Sequence, residues 1–237
     1  DSQSTKKRVV VIGAFSKLPV KWQLLLSLLH DMINTKNKMI KLGAHEEKIT
    51  IIKVPPNFVE VETNDENIKT FRKKITESQS KVILFVGRLV ELKGVEYLIR
   101  YLTEIKKTDI HLSIAGDGPL KNNLEKLTSS LGLENKVTFF GRADKKELGL
   151  LHSISDVFVC PSIIDSQGAT EGLGLVIPEA MKSGIPVIAS AVGGIIDTVK
   201  NEVNGILVEE KNPKAIANAI ERIISDEELK KKNHWKL

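Results

Sequence analysis

The sequence has few cysteines and few aromatic residues, and it has no long apolar run. Its one cysteine, Cys160, cannot form an internal disulfide, so we expect a buried thiol in a reducing, cytoplasmic setting. Aromatic residues make up 5% of the chain, which disfavours a protein that stacks single-stranded bases. No apolar run approaches the roughly 18 residues of a membrane span, and no segment has the layout of a signal peptide.

Two common nucleotide-binding signatures are also missing. The phosphate-binding loop of nucleoside triphosphatases, G-x-x-x-x-G-K-[ST], occurs nowhere in the sequence. No G-x-G-x-x-G is followed by an acidic residue about 20 positions later, which argues against a nicotinamide enzyme.

The charge balance nevertheless suits an anionic partner. The 237 residues carry a net charge of +5, and the pI is near 9.1. Nucleic acid, a membrane surface and a phosphorylated small molecule would all be attracted. The lysines are scattered along the chain instead of being gathered on one recognition helix, so we expect most of them on solvated faces and predict no nucleic-acid partner.

Short apolar runs alternate with helical patterns from residue 81 onward. Runs rich in β-branched residues predict strands at 81–87, 110–116, 136–141, 156–162, 185–190 and 205–210. Between them, apolar residues recur at helical spacing, as in Leu120, Leu124, Leu127 and Leu131. Apolar strands that alternate with amphipathic helices imply an α/β fold with a doubly wound, Rossmann-like parallel sheet. Its ligands bind in the crevice beyond the carboxyl ends of the strands.

The N-terminal part of the chain has a less complete pattern. RVVVIGAF (8–15) and KITIIKV (48–54) have the pattern of strands, and residues 20–33 and 34–43 have that of helices. Two strands are too few for an independent sheet domain of this type. We therefore predict an incomplete second α/β domain at 1–60, a linker and helix at 61–80, and the main domain at 81–237.

Two of the loops that follow predicted strands carry basic residues. Arg88 and Lys93 come just ahead of a predicted helix, whose dipole adds positive charge there, so they predict an anion site; the alternative is ordinary surface charge. Gly141 and Arg142 follow the third strand of the main domain, where a loop backbone can meet a planar base. Asp144 then suits the N-cap of the next helix.

The most informative stretch is TEGLGLVIPEAM, in which two glutamates flank a glycine-rich turn. We predict a helix that starts at Leu175, so that the amides of Gly174, Leu175 and Val176 point outward, ready for an anion. Glu171 lies on the loop before this helix, and Glu179 lies one turn inside it. Two carboxylates repel a bound anion unless they bind something else. A nucleotide sugar meets this condition, because Glu179 can hold the ribose diol and Glu171 the hydroxyls of the sugar.

The order of these motifs resembles that of the retaining glycosyltransferases of family 4, which have the two-domain GT-B fold. The resemblance is carried by FVGRLVELKG, IAGDGP, VTFFG, DVFVCPS, EGLGLVIPEAMKSGIPVIAS, VGGIIDTV and NGILVEEKNP. These motifs cover residues 81–224, which look like the C-terminal, nucleotide-sugar-binding domain of that family. The stretch KLGAHEEKITIIKVPPNF is similar to the end of its N-terminal domain.

The resemblance implies a retaining, metal-independent enzyme that moves a sugar from a nucleoside diphosphate, UDP or GDP, to an acceptor, without any cofactor. The sequence agrees in having no Asp-x-Asp, the pair that holds a divalent cation in the other large glycosyltransferase class. The catalytic residues that it implies are Arg88 and Lys93, which stabilise the leaving diphosphate, and Glu171, which contacts the donor sugar. The donor-binding residues that it implies are Gly87, Gly141, Arg142, Gly172, Leu173, Gly174, Leu175, Val176 and Glu179.

The sequence also departs from that family. Most of the family's acceptor-binding N-terminal domain has no counterpart in the sequence, so we expect chiefly a donor-binding domain. A saccharide or lipid-linked acceptor is implied, and peripheral contact of the full-length protein with the cytosolic face of a membrane stays open. One alternative is a non-catalytic nucleotide-sugar-binding module or subunit that needs a partner chain. A GT-B epimerase or phosphorylase is another.

Overall fold

The computed structural model describes residues 9–12, 40–41, 43–52, 64–76, 80–105, 109–172 and 174–226. Near the N-terminus, strands β1 (Val9–Ile12) and β2 (Ile49–Ile52) pair in parallel, within the two predicted strand segments. The predicted helix at 20–33, most of that at 34–43, and Leu173 lie outside the described residues. The division of the chain into domains stays a prediction.

The main feature of the described chain is a six-stranded parallel sheet. Its strands are β3 (Lys81–Val86), β4 (Ile110–Ala115), β5 (Val137–Gly141), β6 (Val157–Cys160), β7 (Val187–Ser190) and β8 (Ile206–Val208). They lie in the order β5-β4-β3-β6-β7-β8. The predicted doubly wound sheet is thereby confirmed, and each strand lies within one of the six predicted runs.

The strands are largely apolar because both faces of the sheet are covered. Every residue of β4, β6 and β7 is buried. Ile83 and Phe85 of β3 belong to one hydrophobic core, whereas Leu84 between them belongs to a second core. Alternate residues of a strand point to opposite faces, so these two cores lie on the two sides of the sheet.

Seven α-helices are found in the described part of the chain. They are α1 (Asp65–Ile75), α2 (Val95–Tyr101), α3 (Lys121–Ser130), α4 (Lys145–Ile154), α5 (Val176–Lys182), α6 (Ile195–Thr198) and α7 (Pro213–Ser225). The predicted N-cap Asp144 is confirmed: its carboxylate accepts from Glu147 N–H, and the Glu147 side chain accepts from Asp144 N–H. None of the described helices is both long enough and apolar enough to cross a membrane.

The position of the ligand crevice follows from the strand order. The order reverses between β3 and β6, which is the topological switch point of a doubly wound sheet. These two strands pair at Ile83 with Val157 and at Leu84 with Phe158. Beyond these pairs, each strand continues toward its carboxyl end, and the loops that follow lie on the two sides of the crevice.

Candidate active site

The loops that follow β3 and β4 are joined through their backbones. Gly87 N–H donates to the Ala115 carbonyl at 3.0 Å, and Leu89 N–H donates to the Asp117 carbonyl at 2.9 Å. A Cβ at Gly116 would lie 1.8 Å from the carbonyl oxygen of Gly87, which is far inside van der Waals contact. Glycine at this position therefore lets the two loops meet closely and form one wall of the crevice.

A cleft of about 600 Å³ lies at the loops that follow β3, β4 and β5. Its volume is in the range of small-molecule binding sites. The exposed guanidinium groups of Arg88 and Arg142 line it, together with the carboxylate of Asp117. Val86 and Leu148 contribute apolar surface. Two cationic side chains beside an apolar wall suit a ligand that combines phosphate groups with a planar ring.

Lys93 and Glu171 form a largely buried ion pair at the switch point. Lys93 Nζ lies 2.5 Å from Glu171 Oε2, and the two side chains are 18% and 6% exposed. Lys93 ends a 3-10 turn (Glu91–Lys93) that follows β3. The next residue, Gly94, packs against the chain after β6, since a Cβ there would lie 2.0 Å from the Pro161 carbonyl oxygen. This close approach brings Lys93 to the side of the crevice on which Glu171 lies.

Glu171 is held by further contacts through its side chain and its backbone. Ser162 Oγ–H donates to Glu171 Oε2 at 3.0 Å, and Ser162 is fully buried. The Glu171 carbonyl accepts from Gly194 N–H at 3.0 Å. A Cβ at Gly193 would lie 2.2 Å from that same carbonyl oxygen. The position of this carboxylate is therefore set by its neighbours in the fold.

Helix α5 begins at Val176, one residue later than predicted, and Leu175 is its N-cap residue. Gly174 has a φ of +52°, a left-handed conformation that favours glycine. Its carbonyl accepts from Ile177 N–H at 2.7 Å. Leu175 is exposed, so the start of this helix lies at the surface. Binding of phosphate by the amides of residues 174–176 stays a prediction.

Glu179 lies in the first turn of α5 and is half-buried. Burial raises the pKa of its carboxyl group, because the ionised form loses solvation. A carboxylate in this setting is stabilised by hydroxyl groups that donate hydrogen bonds to it. Two neighbouring hydroxyls of a ribose would supply such donors.

The structure brings several of the predicted site residues together. Gly87, Arg88 and Arg142 line one cleft, and Gly141 contributes its carbonyl, which accepts from Gly116 N–H at 2.7 Å. The Lys93 side chain passes beside Gly87, since a Cβ there would lie 3.8 Å from Lys93 Cε, and its ammonium binds Glu171. Gly172 is buried next to Glu171. The roles assigned to all of these residues stay predictions.

Sequence reasoning missed two polar residues of this region, Asp117 and Ser162. The motif DGP at 117–119 suggests only a tight turn, and Ser162 lies inside a predicted strand run. In the structure both residues follow strands that end at the crevice, and this position is the signal that identifies them. The described residues contain no group of three or more His, Cys, Asp or Glu side chains suited to a metal ion.

A family model described as glycosyl transferases group 1 matches residues 67–236. The chain belongs to this family. It is 41% identical over 186 residues to an uncharacterized glycosyltransferase of Methanocaldococcus jannaschii, a match that covers 76% of the chain and 46% of that protein. A second relative is a GDP-mannose-dependent alpha-(1-6)-phosphatidylinositol monomannoside mannosyltransferase of Mycolicibacterium smegmatis. The chain is 35% identical to it over 148 residues, a match that covers 61% of the chain and 39% of that protein.

Solved structures also resemble this group 1 chain. Anabaena HepE, in complex with UDP and glucose, matches it with a TM-score of 0.73 and 26% sequence identity, over 85% of the chain and 54% of that structure. The match confirms the Rossmann-like parallel α/β fold of GT-B glycosyltransferases. The group 1 chain spans about half the length of the relatives that it matches.

Proposed function

We propose that this chain is the donor-binding part of a retaining, metal-independent glycosyltransferase. The observation that carries the proposal is that two features meet at the end of β3: a cleft that Arg88 and Arg142 line, after β3, β4 and β5, and the Lys93–Glu171 ion pair, between β3 and β6. Membership of the group 1 family supports it. A nucleoside diphosphate sugar carries both the phosphate groups that the arginines would bind and the sugar hydroxyls that Glu171 would bind.

The donor diphosphate binds to the Arg88 guanidinium and the Lys93 ammonium. The base lies in the cleft beside Gly141 and Arg142, against the apolar surface of Leu148. Glu179 accepts from the ribose hydroxyls, because a half-buried carboxylate is stabilised by such donors. The amides of residues 174–176 contact a phosphate oxygen.

Glu171 accepts hydrogen bonds from hydroxyls of the transferred sugar. Lys93 remains beside it, since an ammonium has three N–H donors and can bind a carboxylate and a phosphate oxygen together. The carboxylate also offsets the ammonium charge while the site holds no donor.

In the reaction, the bond between the anomeric carbon and the diphosphate oxygen breaks, and the electron pair stays on the diphosphate. The acceptor hydroxyl forms the new bond on the same face of the sugar, and its proton passes to the leaving diphosphate oxygen. Negative charge develops on the leaving diphosphate, and Arg88 and Lys93 stabilise it from fixed positions. Stabilisation of this kind requires no metal ion.

The relatives indicate which donors to test. Anabaena HepE is seen with UDP and glucose, and the M. smegmatis relative depends on GDP-mannose. A saccharide or lipid-linked acceptor would bind outside the cleft, at the cytosolic face of a membrane in the lipid-linked case. The buried Cys160 thiol favours a reducing, cytoplasmic setting.

A thermal-shift screen of UDP-, GDP- and ADP-sugars with EDTA present tests the proposal. At a donor concentration of a hundred times Kd, we expect Tm to rise by roughly 5 to 10 °C. Arg88→Ala should remove most of this shift. Arg100→Ala, a matched change at an exposed arginine of α2, should leave it intact.

Donor binding and metal independence are separate parts of the proposal, and a different result would contradict each of them. If no nucleotide sugar stabilises the chain, donor binding is wrong. If stabilisation appears only with a divalent cation, metal independence is wrong while donor binding stands. Transfer to an acceptor after a complete acceptor domain is added would separate an enzyme part from a non-catalytic binding module.

A further inference from the structure

A chain of hydrogen bonds connects the end of β6 with the Lys93–Glu171 ion pair. Ser162 Oγ–H donates to Glu171 Oε2 at 3.0 Å, and Lys93 Nζ binds the same oxygen at 2.5 Å. Behind Ser162, the Cys160 Sγ atom lies 3.6 Å from Ser162 Oγ. Cys160 is 2% exposed, Ser162 0% and Glu171 5%. The hydroxyl therefore links the strand end to the ion pair inside the protein.

The direction of each bond follows from counting protons. A serine hydroxyl has one proton, and Ser162 uses it toward the carboxylate of Glu171. The thiol of Cys160 must then donate to Ser162 Oγ. Burial raises the pKa of Cys160 to about 11, so the thiol keeps its proton at neutral pH. The Ser162 hydroxyl is thus oriented by one neighbour and aimed at the other.

Ser162 and Glu171 differ in how firmly their surroundings fix them. Ser162 directly follows Pro161, which packs against Gly94, and the next residue donates Ile163 N–H to the Leu92 carbonyl at 2.9 Å. Glu171 follows a loop in which most of residues 164–169 are exposed. A glutamate side chain has several rotatable bonds, so a carboxylate at the end of such a loop needs fixed contacts to keep one direction.

We propose that Ser162 is a positioning residue, which fixes the Glu171 carboxylate for the sugar side of the donor. This proposal rests on the proposed function and adds a specificity determinant to it. Sugar hydroxyls donate at fixed angles, so they bind a carboxylate of fixed direction best. The Ser162 hydroxyl contacts Cys160 Sγ and Glu171 Oε2, whereas the nucleotide is proposed to contact Arg88, Lys93 and Arg142.

The test measures Kd by isothermal titration calorimetry for UDP, UDP-glucose, GDP and GDP-mannose. In Ser162→Ala we expect the nucleotide sugar that binds the wild type to bind about tenfold more weakly. The matching nucleotide without sugar should bind within twofold of the wild type. Ser162→Thr keeps the hydroxyl and should restore most of the affinity for the nucleotide sugar.

Ser113→Ala is the matched control. Ser113 is a fully buried strand serine of β4, and its Oγ has no hydrogen-bond partner among the residues that the structure describes. This change removes a buried hydroxyl without removing a contact to the site. It should leave the ratio of the two Kd values unchanged, even if it alters Tm.

A double-mutant cycle of Ser162→Ala with Glu171→Gln in the ligand-free chain tests the contact itself by urea unfolding. Non-additive changes are expected, because the two groups share a hydrogen bond. Additive changes would overturn the proposal, as would equal weakening of nucleotide and nucleotide-sugar binding in Ser162→Ala. If the wild type binds none of the four ligands while the cycle shows coupling, the proposed function fails and the buried contact alone stands.

Discussion

Lys93 and Glu171 are separated by 78 residues in the sequence and form an ion pair at the switch point of the sheet. Lys93 comes from the turn after β3, and Glu171 comes from the loop after β6. The pair therefore joins the two halves of the doubly wound sheet. It also places a positive and a negative group beside the crevice in which a donor is proposed to bind.

Breaking this pair should destabilise the chain strongly. Lys93→Met removes one partner of a buried ion pair, because Glu171 is only 5% exposed. We expect the free energy of unfolding to fall by about 3 kcal/mol, since removal of one partner of a buried pair is strongly unfavourable. Urea unfolding measures this loss.

A surface pair supplies the control for that measurement. Lys121 and Glu125 lie 3.9 Å apart on α3, and their side chains are 39% and 44% exposed. Lys121→Met should change the free energy of unfolding by less than about 0.5 kcal/mol. Lys93→Met with Glu171→Gln should recover part of the loss. Equal effects of the two lysine changes would show that the buried pair has no special role.

The two glutamates of the glycine-rich stretch should affect different parts of donor binding. Glu179→Ala should weaken the binding of nucleotide alone by about tenfold, because it removes the acceptor proposed for the ribose hydroxyls. Glu171→Ala should mainly reduce discrimination between nucleotide sugars. Calorimetric titration with UDP or GDP, with and without the sugar, separates these effects. Equal weakening of plain nucleotide binding by both changes would contradict the assigned roles.

The close approach at Gly116 predicts a large effect of a single methyl group. In Gly116→Ala the new Cβ would lie 1.8 Å from the Gly87 carbonyl oxygen, so the two loops must move apart. We expect lower stability together with a loss of nucleotide affinity. Gly132→Ala is the control, because Gly132 has a φ of +67° but nothing within 4 Å of the added Cβ. It should lower stability by about 1 kcal/mol and leave nucleotide affinity unchanged.

The buried histidine of α4 predicts a dependence of stability on pH. Burial lowers the pKa of His152 to about 4, below the value of about 6.5 in an unfolded chain. Between these two values the unfolded chain binds a proton that the folded chain does not bind. The free energy of unfolding therefore does not depend on His152 ionisation above pH 6.5. It falls as the pH decreases from 6.5 toward 4, by about 3 kcal/mol in all.

The variant His152→Gln isolates this contribution. Urea unfolding of the wild type and the variant at pH 7, 5.5 and 4 should show a smaller loss of stability in the variant. The difference at pH 7 reports packing, including the edge contact between His152 and Phe158. Parallel pH profiles of the two proteins would contradict the prediction.

The fold could be predicted from the sequence in most of its main part. A strand buried on both faces is largely apolar, so β6 and β7 are visible as short apolar runs. The N-cap Asp144 is visible because capping is a local interaction over three residues. Such features depend on a short stretch of chain and its immediate neighbours.

The internal arrangement of the site could not be predicted in the same way. In the sequence, Arg88 and Lys93 are near neighbours, whereas Glu171 is far from both. Lys93 meets Glu171 because the backbone at Gly94 packs against Pro161, and this contact is visible only in the structure. The contact of Ser162 with Glu171 likewise depends on how the loops after β3 and β6 meet in space. Contacts between distant segments depend on strand order and register, which local patterns do not contain.

Strands β3 and β6 pair at only two positions, and the crevice opens beyond them. This arrangement affects how the range of bound ligands can change. The paired residues, Ile83 with Val157 and Leu84 with Phe158, are fully buried. The side chains around the opening come instead from the loops that follow these strands. Substitutions at exposed positions of those loops can reshape the opening without removing interior packing or the Lys93–Glu171 pair, so changes in the proposed donor preference are accessible there with little loss of folding stability.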